Sequence, residues 1–270
     1  MRKVGLIVRD EYTRSGTFSL NLVKKLAEKG IAAWWEQDTT KDVDNTDLIL
    51  VLGGDGTILR AFRDYGHLQI PFVGINCGTV GFLSSFDPDE LDEYWCRIVE
   101  SDYLLDERSI LRLLIRKKNQ PFVSSYALND VVIRTTNLHV SRQVVTMGDK
   151  EIFACEGDGI VIATSTGSTG YTFSAGGAVV EPSMECMVVT PICARNMTLK
   201  TMVFSLEHDL TVTSRDRSAC TVFVDGFKLI DINESDSVTI GRADIKAKFV
   251  SLNPERYFNL LHHKAENRKI

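Results

Sequence analysis

Along the first hundred residues, short apolar runs alternate with stretches of helical period. Residues 4–8, 31–35, 48–52 and 71–75 are nearly continuous apolar runs of strand length, as strands buried on both faces require. Between the first two, Phe18, Leu22 and Leu26 recur every four residues, and Gly30 stands where a C′ glycine would close that helix. Ile58, Phe62 and Tyr65 mark a second helical face. Asp87-Pro88 offers an N-cap and an N1 proline to a third helix through Leu91, Trp95 and Ile98. Strands and helices in strict alternation predict a parallel sheet covered by helices, with ligands beyond the carboxyl ends of its strands.

After about residue 100 the period falls to two. Leu111, Leu113 and Ile115 alternate with Arg112, Leu114 and Arg116, and further strands are predicted at 127–134, 138–147, 152–154, 159–163, 210–212, 221–224 and 238–240. Met147-Gly148-Asp149-Lys150 reads as a hairpin turn between two of them. This half is expected to be mainly antiparallel, in a separate domain joined near residue 100. The residues from Ser251 onward fit either domain by pattern alone.

Composition narrows the class without choosing a function. The 270 residues, 44% hydrophobic, suffice for one large domain or two modest ones. A formal net charge of −5 gives no clustered positive surface, so nucleic acid is not expected as a partner. No apolar stretch reaches bilayer length, and the first ten residues lack a signal-peptide core. A soluble, cytoplasmic protein without a membrane partner is expected. Cys77, Cys96, Cys155, Cys186, Cys193 and Cys220 form no C-x-x-C pair and are expected reduced and packed. His67, His139, His208, His262 and His263 show no ligand spacing, so no residue is assigned to a metal.

Candidate chemistry begins at Gly53-Gly54-Asp55-Gly56-Thr57, directly behind the third strand and ahead of the Ile58 helix. Glycines there let the backbone approach a ligand, and a helix N-terminus favours anions. A carboxylate in a phosphate cradle repels its ligand unless it holds a metal ion or takes a proton. The combination points to phosphoryl transfer. A plain tight turn is the simpler reading, yet this segment joins a strand to a helix and carries more glycine than a turn needs. Neither G-x-x-x-x-G-K-[ST] nor G-x-G-x-x-G is present.

Three further segments carry polar groups out of apolar runs. Gly74-Ile75-Asn76-Cys77-Gly78-Thr79-Val80-Gly81-Phe82-Leu83 ends the fourth strand, so Asn76 and Gly78 should lie beside the first loop, while Phe82 and Leu83 read as core. Asn129-Asp130 sits inside the apolar stretch 126–133, where both residue types are poor strand formers. That step is either a bulge or an amide and a carboxylate held on a rigid strand to grip a ligand, and the pattern does not choose. The strand at 159–163 runs into Thr164-Ser165-Thr166-Gly167-Ser168-Thr169-Gly170-Tyr171. A helix is expected there, N-capped by Ser168 or Thr169 and stopping near Gly176-Gly177, with its N-terminus suited to phosphate or ribose oxygens. Tyr171 either stacks on a base or packs. Arg108, Arg112, Arg116 and Lys118 read as one solvated strand face.

These four segments, in this order, resemble the NAD kinase family: a G-G-D-G-T loop, a G-I-N-x-G-x-x-G-F-L segment, an Asn-Asp step, and a D-G-x₄-T-x-T-G-S-T-x-Y run from Asp158 to Tyr171. Asp225-Gly226 and the tail Tyr257-Phe258-Asn259-Leu260-Leu261-His262-His263-Lys264 also look like family segments, so the resemblance covers nearly the whole chain. G-G-D-G-T alone is shared with diacylglycerol and sphingosine kinases; the later run makes the likeness specific. Ser165 and Gly170 stand where the family usually has proline and alanine. Ala194-Arg195-Asn196-Met197 replaces a common Pro-His-Ser-Leu.

The resemblance implies an α/β fold: a Rossmann-like parallel-sheet domain (1–100 with 252–270), followed by a β-rich, mainly antiparallel domain (101–251). It implies transfer of the γ-phosphoryl group of ATP, or of polyphosphate, to the 2′-hydroxyl of the adenosine ribose of NAD, with Mg²⁺ or another divalent cation bridging the donor's phosphates. Gly53, Gly54, Gly56 and Thr57 would line the phosphate site, and Asp55 would accept the hydroxyl proton. Asn129, Asp130, Thr169, Gly170 and Tyr171 would hold the adenosine half of NAD, and Asp158 the nicotinamide half. Asn76, Gly78, Phe82 and Ser174 join the NAD-binding set, and Arg195 offers a new contact. Family members assemble as homodimers or homotetramers whose dinucleotide site a neighbouring subunit completes. Two alternatives stand beside this reading. One is a lipid kinase of the diacylglycerol kinase type, against which the hydroxyl-rich run argues. The other is a non-catalytic NAD(P) sensor, which would gain nothing from Asp55.

Overall fold

The computed structural model describes residues 1–10, 14–78, 81–118, 120–136, 139–196, 198–215 and 219–266. Its contacts divide the chain into two compact units, Met1–Glu107 with Ala247–Ile270, and Arg108–Lys246.

The first unit opens with β1 (Lys3–Val8), α1 (Thr17–Glu28), β2 (Ala32–Trp35), β3 (Leu48–Gly53), α2 (Asp55–Tyr65), β4 (Phe72–Asn76), α3 (Leu91–Glu100) and β5 (Leu104–Arg108). Strand β1 pairs in parallel with β2 and β3, and β3 with β4. Every residue of β3 and β4 is buried, because helices cover both faces of the sheet. On one face Leu48, Leu50 and Leu52 pack with Leu22 and Leu26 of α1 and with Leu91, Trp95 and Ile98 of α3. On the other, Phe62 of α2 meets Phe72 with ring centroids 6.1 Å apart. A capping box between Asp87 and Glu90 opens the 3₁₀ turn Pro88–Glu90 that leads into α3.

The second unit contains β6 (Leu111–Arg116), β7 (Val123–Ala127), β8 (Asp130–Thr135), β9 (Ser141–Met147), β10 (Lys150–Gly157) and β11 (Gly159–Thr164). After a 3₁₀ turn (Thr166–Thr169) and the single-turn α4 (Tyr171–Ser174) come β12 (Cys186–Ile192), β13 (Met202–Ser205), β14 (Leu210–Ser214), β15 (Cys220–Val224), β16 (Phe227–Ile232) and β17 (Ser237–Arg242). They form two six-stranded sheets, ordered β10-β9-β14-β17-β6-β7 and β13-β12-β11-β8-β15-β16. Leu113, Val145, Val212 and Val238 of one sheet share a core with Ile133, Ile160, Ile162 and Val222 of the other, the arrangement of a sandwich. The parallel first half and antiparallel second half match the pattern-based expectation.

Two local expectations fail here. The stretch 126–133 is not one strand: β7 ends at Ala127 in one sheet and β8 begins at Asp130 in the other. Leu128 and Asn129 carry the chain across, so the Asn-Asp step marks a corner rather than a bulge in a strand. Likewise no helix runs from 168 to 176; only the 3₁₀ turn and α4 form. The fully buried β12 was not expected, because its apolar run contains Pro191 and lacks alternation.

The chain returns to the first unit with β18 (Ala247–Ser251) and α5 (Arg256–Glu266). Strand β18 pairs in parallel with β4, Phe249 opposite Phe72, inside a six-stranded sheet ordered β2-β1-β3-β4-β18-β5. At the start of α5, Arg256 donates to Asp87 at 3.0 Å and to Glu90 at 3.2 Å.

Candidate active site

In the first unit the glycine loop is the junction of β3 and α2. Gly53 ends the strand beside Asn76 of β4, and a side chain there would overlap the buried Thr57. Gly54 is the N-cap of α2 and lies against Gly78, so the two strand-end loops touch through glycine. A Cβ on Gly56 would meet nothing within 4 Å, which leaves its backbone open to a ligand. Asp55 is the first residue of α2, and its carboxylate oxygens accept the backbone N–H groups of Leu83 at 3.0 Å and Phe82 at 3.1 Å. Those two donors fix the acid at a helix N-terminus, where the aligned peptide dipoles favour negative charge.

Two residues read as ligand-facing have structural partners. Thr57 is buried beneath Gly53, and its N–H reaches Gly54 at 2.9 Å, so it shapes the loop from below. Asn76 is 9% exposed; its amide nitrogen donates to Asp87 at 2.9 Å and its oxygen accepts from Gly78 N–H at 3.1 Å. It therefore straps the second loop to the Asp87 turn, which Arg256 holds from α5. Phe82 stacks edge-on against Tyr257 of α5 at 5.8 Å. Thr79 and Val80, in the same quoted segment, lie outside the described residues.

In the second unit the functional candidates gather at the corner before β8. The carboxylate of Asp225 accepts three successive backbone N–H groups: Leu128 at 2.8 Å, Asn129 at 2.7 Å and Asp130 at 3.0 Å. From the other side, Thr164 Oγ1 donates to the Leu128 carbonyl at 2.7 Å and accepts Gly167 N–H at 3.0 Å. Gly167 packs so closely on the Asn129 backbone that no side chain fits. With its backbone held, the corner aims its side chains at Gly170. A Cβ on Gly170 would stand 3.6 Å from the Asn129 amide nitrogen and 3.8 Å from an Asp130 carboxyl oxygen. Among the described residues the buried Asn129 side-chain oxygen has no partner. Burial, together with the nearby Asp225 charge, pushes Asp130 up to about 7 from an ordinary 3.8. Asp225 is raised to about 6, again by burial, against which its three N–H donors act.

The hydroxyl run behaves differently from its reading as a ligand cradle. Ser165 donates to the Pro182 carbonyl at 3.0 Å, and Ser168 donates to the Ser165 carbonyl at 2.6 Å while accepting Val180 N–H at 3.0 Å. With Thr164 they are fully buried and build the loop. Thr169 is buried as well, its hydroxyl directed to Thr166. Gly170 and Tyr171 are partly exposed, and Ser174 is exposed on α4. Asp158 and Arg195 do not join this group. Asp158 precedes β11, hydrogen-bonded through its backbone to Ile192, and Arg195 donates its N–H to Glu156 at 2.8 Å. The length of β11 puts them about 20 Å from the corner.

Comparison with known proteins decides the family. A model of the ATP-NAD kinase N-terminal domain matches residues 4–103, and one of the ATP-NAD kinase C-terminal domain matches 128–252. An NAD kinase of Carboxydothermus hydrogenoformans is 32% identical over 267 residues, covering 97% of this chain and 90% of that protein. An NAD kinase of Natranaerobius thermophilus is 30% identical over 279 residues, covering 98% of each. The chain belongs to the NAD kinase family. Among solved structures, an NAD kinase from Archaeoglobus fulgidus in complex with ATP superposes with a TM-score of 0.78 at 25% identity, covering 96% of this chain and 97% of that one. Yeast NADH kinase complexed with NADH reaches a TM-score of 0.89 at 21% identity, covering 100% of this chain and 89% of that one, which speaks for the fold alone.

Membership in the NAD kinase family makes the chain a kinase and disfavours both the lipid-kinase and the sensor reading. Against that background, sequence reasoning missed two residues. Arg108, read as part of a solvated face, is 6% exposed and donates to Thr166 Oγ1 at 3.2 Å. Asp225 was noted only as part of a family dipeptide, yet it organises the whole corner. Among the described residues no helix is long and apolar enough to cross a membrane. No group of three or more His, Cys, Asp or Glu among them could hold a metal ion.

Proposed function

We propose that this protein transfers the γ-phosphoryl group of ATP, or a phosphoryl group of polyphosphate, to the 2′-hydroxyl of the adenosine ribose of NAD, giving NADP. The observation that carries the reading is Asp55: a carboxylate at a helix N-terminus, beside an open glycine backbone, oriented by two amides. Phosphoryl transfer asks a protein mainly for alignment and charge neutralisation. In this reading Gly54 and Gly56 present backbone to the donor's phosphates, with Gly53 and Thr57 setting the loop's shape. Asp55 orients the ribose hydroxyl and takes its proton. Mg²⁺, or another divalent cation, enters with the donor and offsets its charge.

Asn129, Asp130, Gly170 and Tyr171 hold the adenosine half of NAD, the buried Asn129 oxygen gaining a partner there. Thr169 supports that loop from within, and Asn76, Gly78, Phe82 and Ser174 complete the set. The distance of Asp158 and Arg195 from the corner supports a homodimer or homotetramer in which they serve a neighbouring subunit's nicotinamide half. The division of labour follows an N-terminal phosphate-handling domain and a C-terminal NAD-binding domain, in the cytoplasm. The test is purified protein with Mg²⁺, ATP and NAD, NADP being read by a coupled NADP-specific dehydrogenase. NADP formation is expected; its absence with either ATP or polyphosphate overturns the proposal.

A further inference from the structure

The Asp225 side chain does more than its place in the fold requires. Asp225 and Gly226 are the two central residues of the hairpin joining β15 to β16, both with positive φ, at 49° and 83°. A type I′ turn of this kind needs only asparagine, aspartate or glycine at its first central position. Nothing in the turn asks for a carboxylate. Yet the Asp225 carboxylate leaves the hairpin and reaches residues 95 to 97 positions earlier in the chain, where three consecutive N–H groups converge on it. Its own N–H donates to the Asp130 carbonyl at 2.9 Å, so the hairpin tip grips the corner in both directions.

Charge sharpens the point. Asp130 and Asp225 are 5% and 7% exposed, two buried carboxyl groups at one corner. The three N–H donors all serve Asp225, which identifies it as the one that keeps the negative charge. Among the described residues Asp130 has no side-chain hydrogen bond, and a second buried carboxylate beside the first is disfavoured, so Asp130 holds its proton to a higher pH than an ordinary carboxyl. Among the described residues Asp225, from the hairpin, is the charged group that acts on Asp130. Strand β11 presents Ala163 opposite it, and the loop after β11 presents Gly170.

We propose that Asp225 is a positioning residue for NAD binding, its carboxylate fixing the backbone of the 128–130 corner and holding Asp130 in its neutral, hydrogen-bond-donating form. The inference rests on the NAD kinase reading and deepens it: Asp225 itself touches no substrate, and acts through Asn129 and Asp130.

The test is steady-state kinetics of D225N and D225G. Both residues suit the turn, so the hairpin is kept while the carboxylate is lost. The KM for NAD should rise roughly ten-fold or more, equivalent to about 1.4 kcal/mol, with kcat and the KM for the phosphate donor little changed. The pH at which NAD affinity titrates should move down in both variants, because Asp130 loses the neighbouring charge that helps retain its proton. If D225N is poorly folded, D225G alone decides. An unchanged KM for NAD overturns the inference, as does a parallel loss of kcat and of affinity for both substrates with an unshifted pH profile. Wild-type protein that makes no NADP overturns the kinase reading and this inference with it. Wild-type turnover with an unaltered KM for NAD in the variants overturns the inference alone.

Discussion

The loop at residues 53–57 and the corner at 128–130 solve one problem, holding a polar side chain rigid at the end of a strand, in different ways. At the loop the strand-to-helix junction is local in sequence, and the two amides that fix its acid come from a loop 27 and 28 residues on. Gly53 and Gly54 end a buried parallel strand, Asp55 begins a helix, and amides from the adjoining strand-end loop fix its carboxylate. At the corner the partners are more remote: Asp225 and Thr164 clamp the backbone from 96 and 36 residues away in sequence. A helix terminus can anchor one acid from its own geometry. A crossing between two antiparallel sheets has no repeating hydrogen-bond ladder, so its backbone groups must find partners elsewhere.

The comparison predicts losses of different kinds. The largest is at the loop: Asp55→Asn should lower turnover by about 10²–10⁴-fold, as expected for a positioned base, while the protein still folds. A variant with near wild-type kcat would show that Asp55 only braces the loop through Phe82 and Leu83.

At the corner the first effect is on stability against pH. Folding raises Asp130 from 3.8 to about 7, so the folded chain binds this proton more tightly than the unfolded one. Its contribution to stability is full below the unfolded value and is lost as pH rises through about 7. Asp130→Asn removes that loss. Its melting temperature should gain on wild type between about pH 4 and about pH 8, by the equivalent of at most on the order of 4 kcal/mol. A constant difference across that range would contradict the buried carboxyl.

Smaller again is the clamp itself. Thr164→Val keeps shape but removes the hydroxyl that serves Leu128 and Gly167, and should cost about 1–3 kcal/mol in urea unfolding. The smallest expected change is Asn129→Ala, which should raise the KM for NAD more than it lowers kcat. An unaltered KM would remove Asn129 from the binding set.

Legibility in the sequence follows the same division. The alternation of buried strands and helices through residue 100, and the glycine loop behind β3, are local patterns, and both could be read directly. The corner could not. Asn129-Asp130 advertises a break in an apolar run, but nothing near it names Asp225 as its partner. The hydroxyls of Thr164, Ser165 and Ser168 misled for a related reason. A serine that accepts an inner N–H and one that meets a ligand look alike in sequence, and only burial separates them. Asn76 was placed correctly beside the first loop, while its bond to Asp87 depends on a turn eleven residues on. Strands β12 and β18 escaped because neither alternates and neither is a clean apolar run: β12 carries Thr190 and Pro191, and β18 sets Phe249 and Val250 between Lys248 and Ser251.

The most direct test of the central claim, that the acid at 55 serves chemistry while the corner at 128–130 serves binding, is calorimetric titration of the Asp55→Asn protein with NAD. The account predicts near wild-type affinity from a protein that forms almost no NADP. Affinity lost in proportion to turnover would contradict it, placing Asp55 among the groups that hold the dinucleotide.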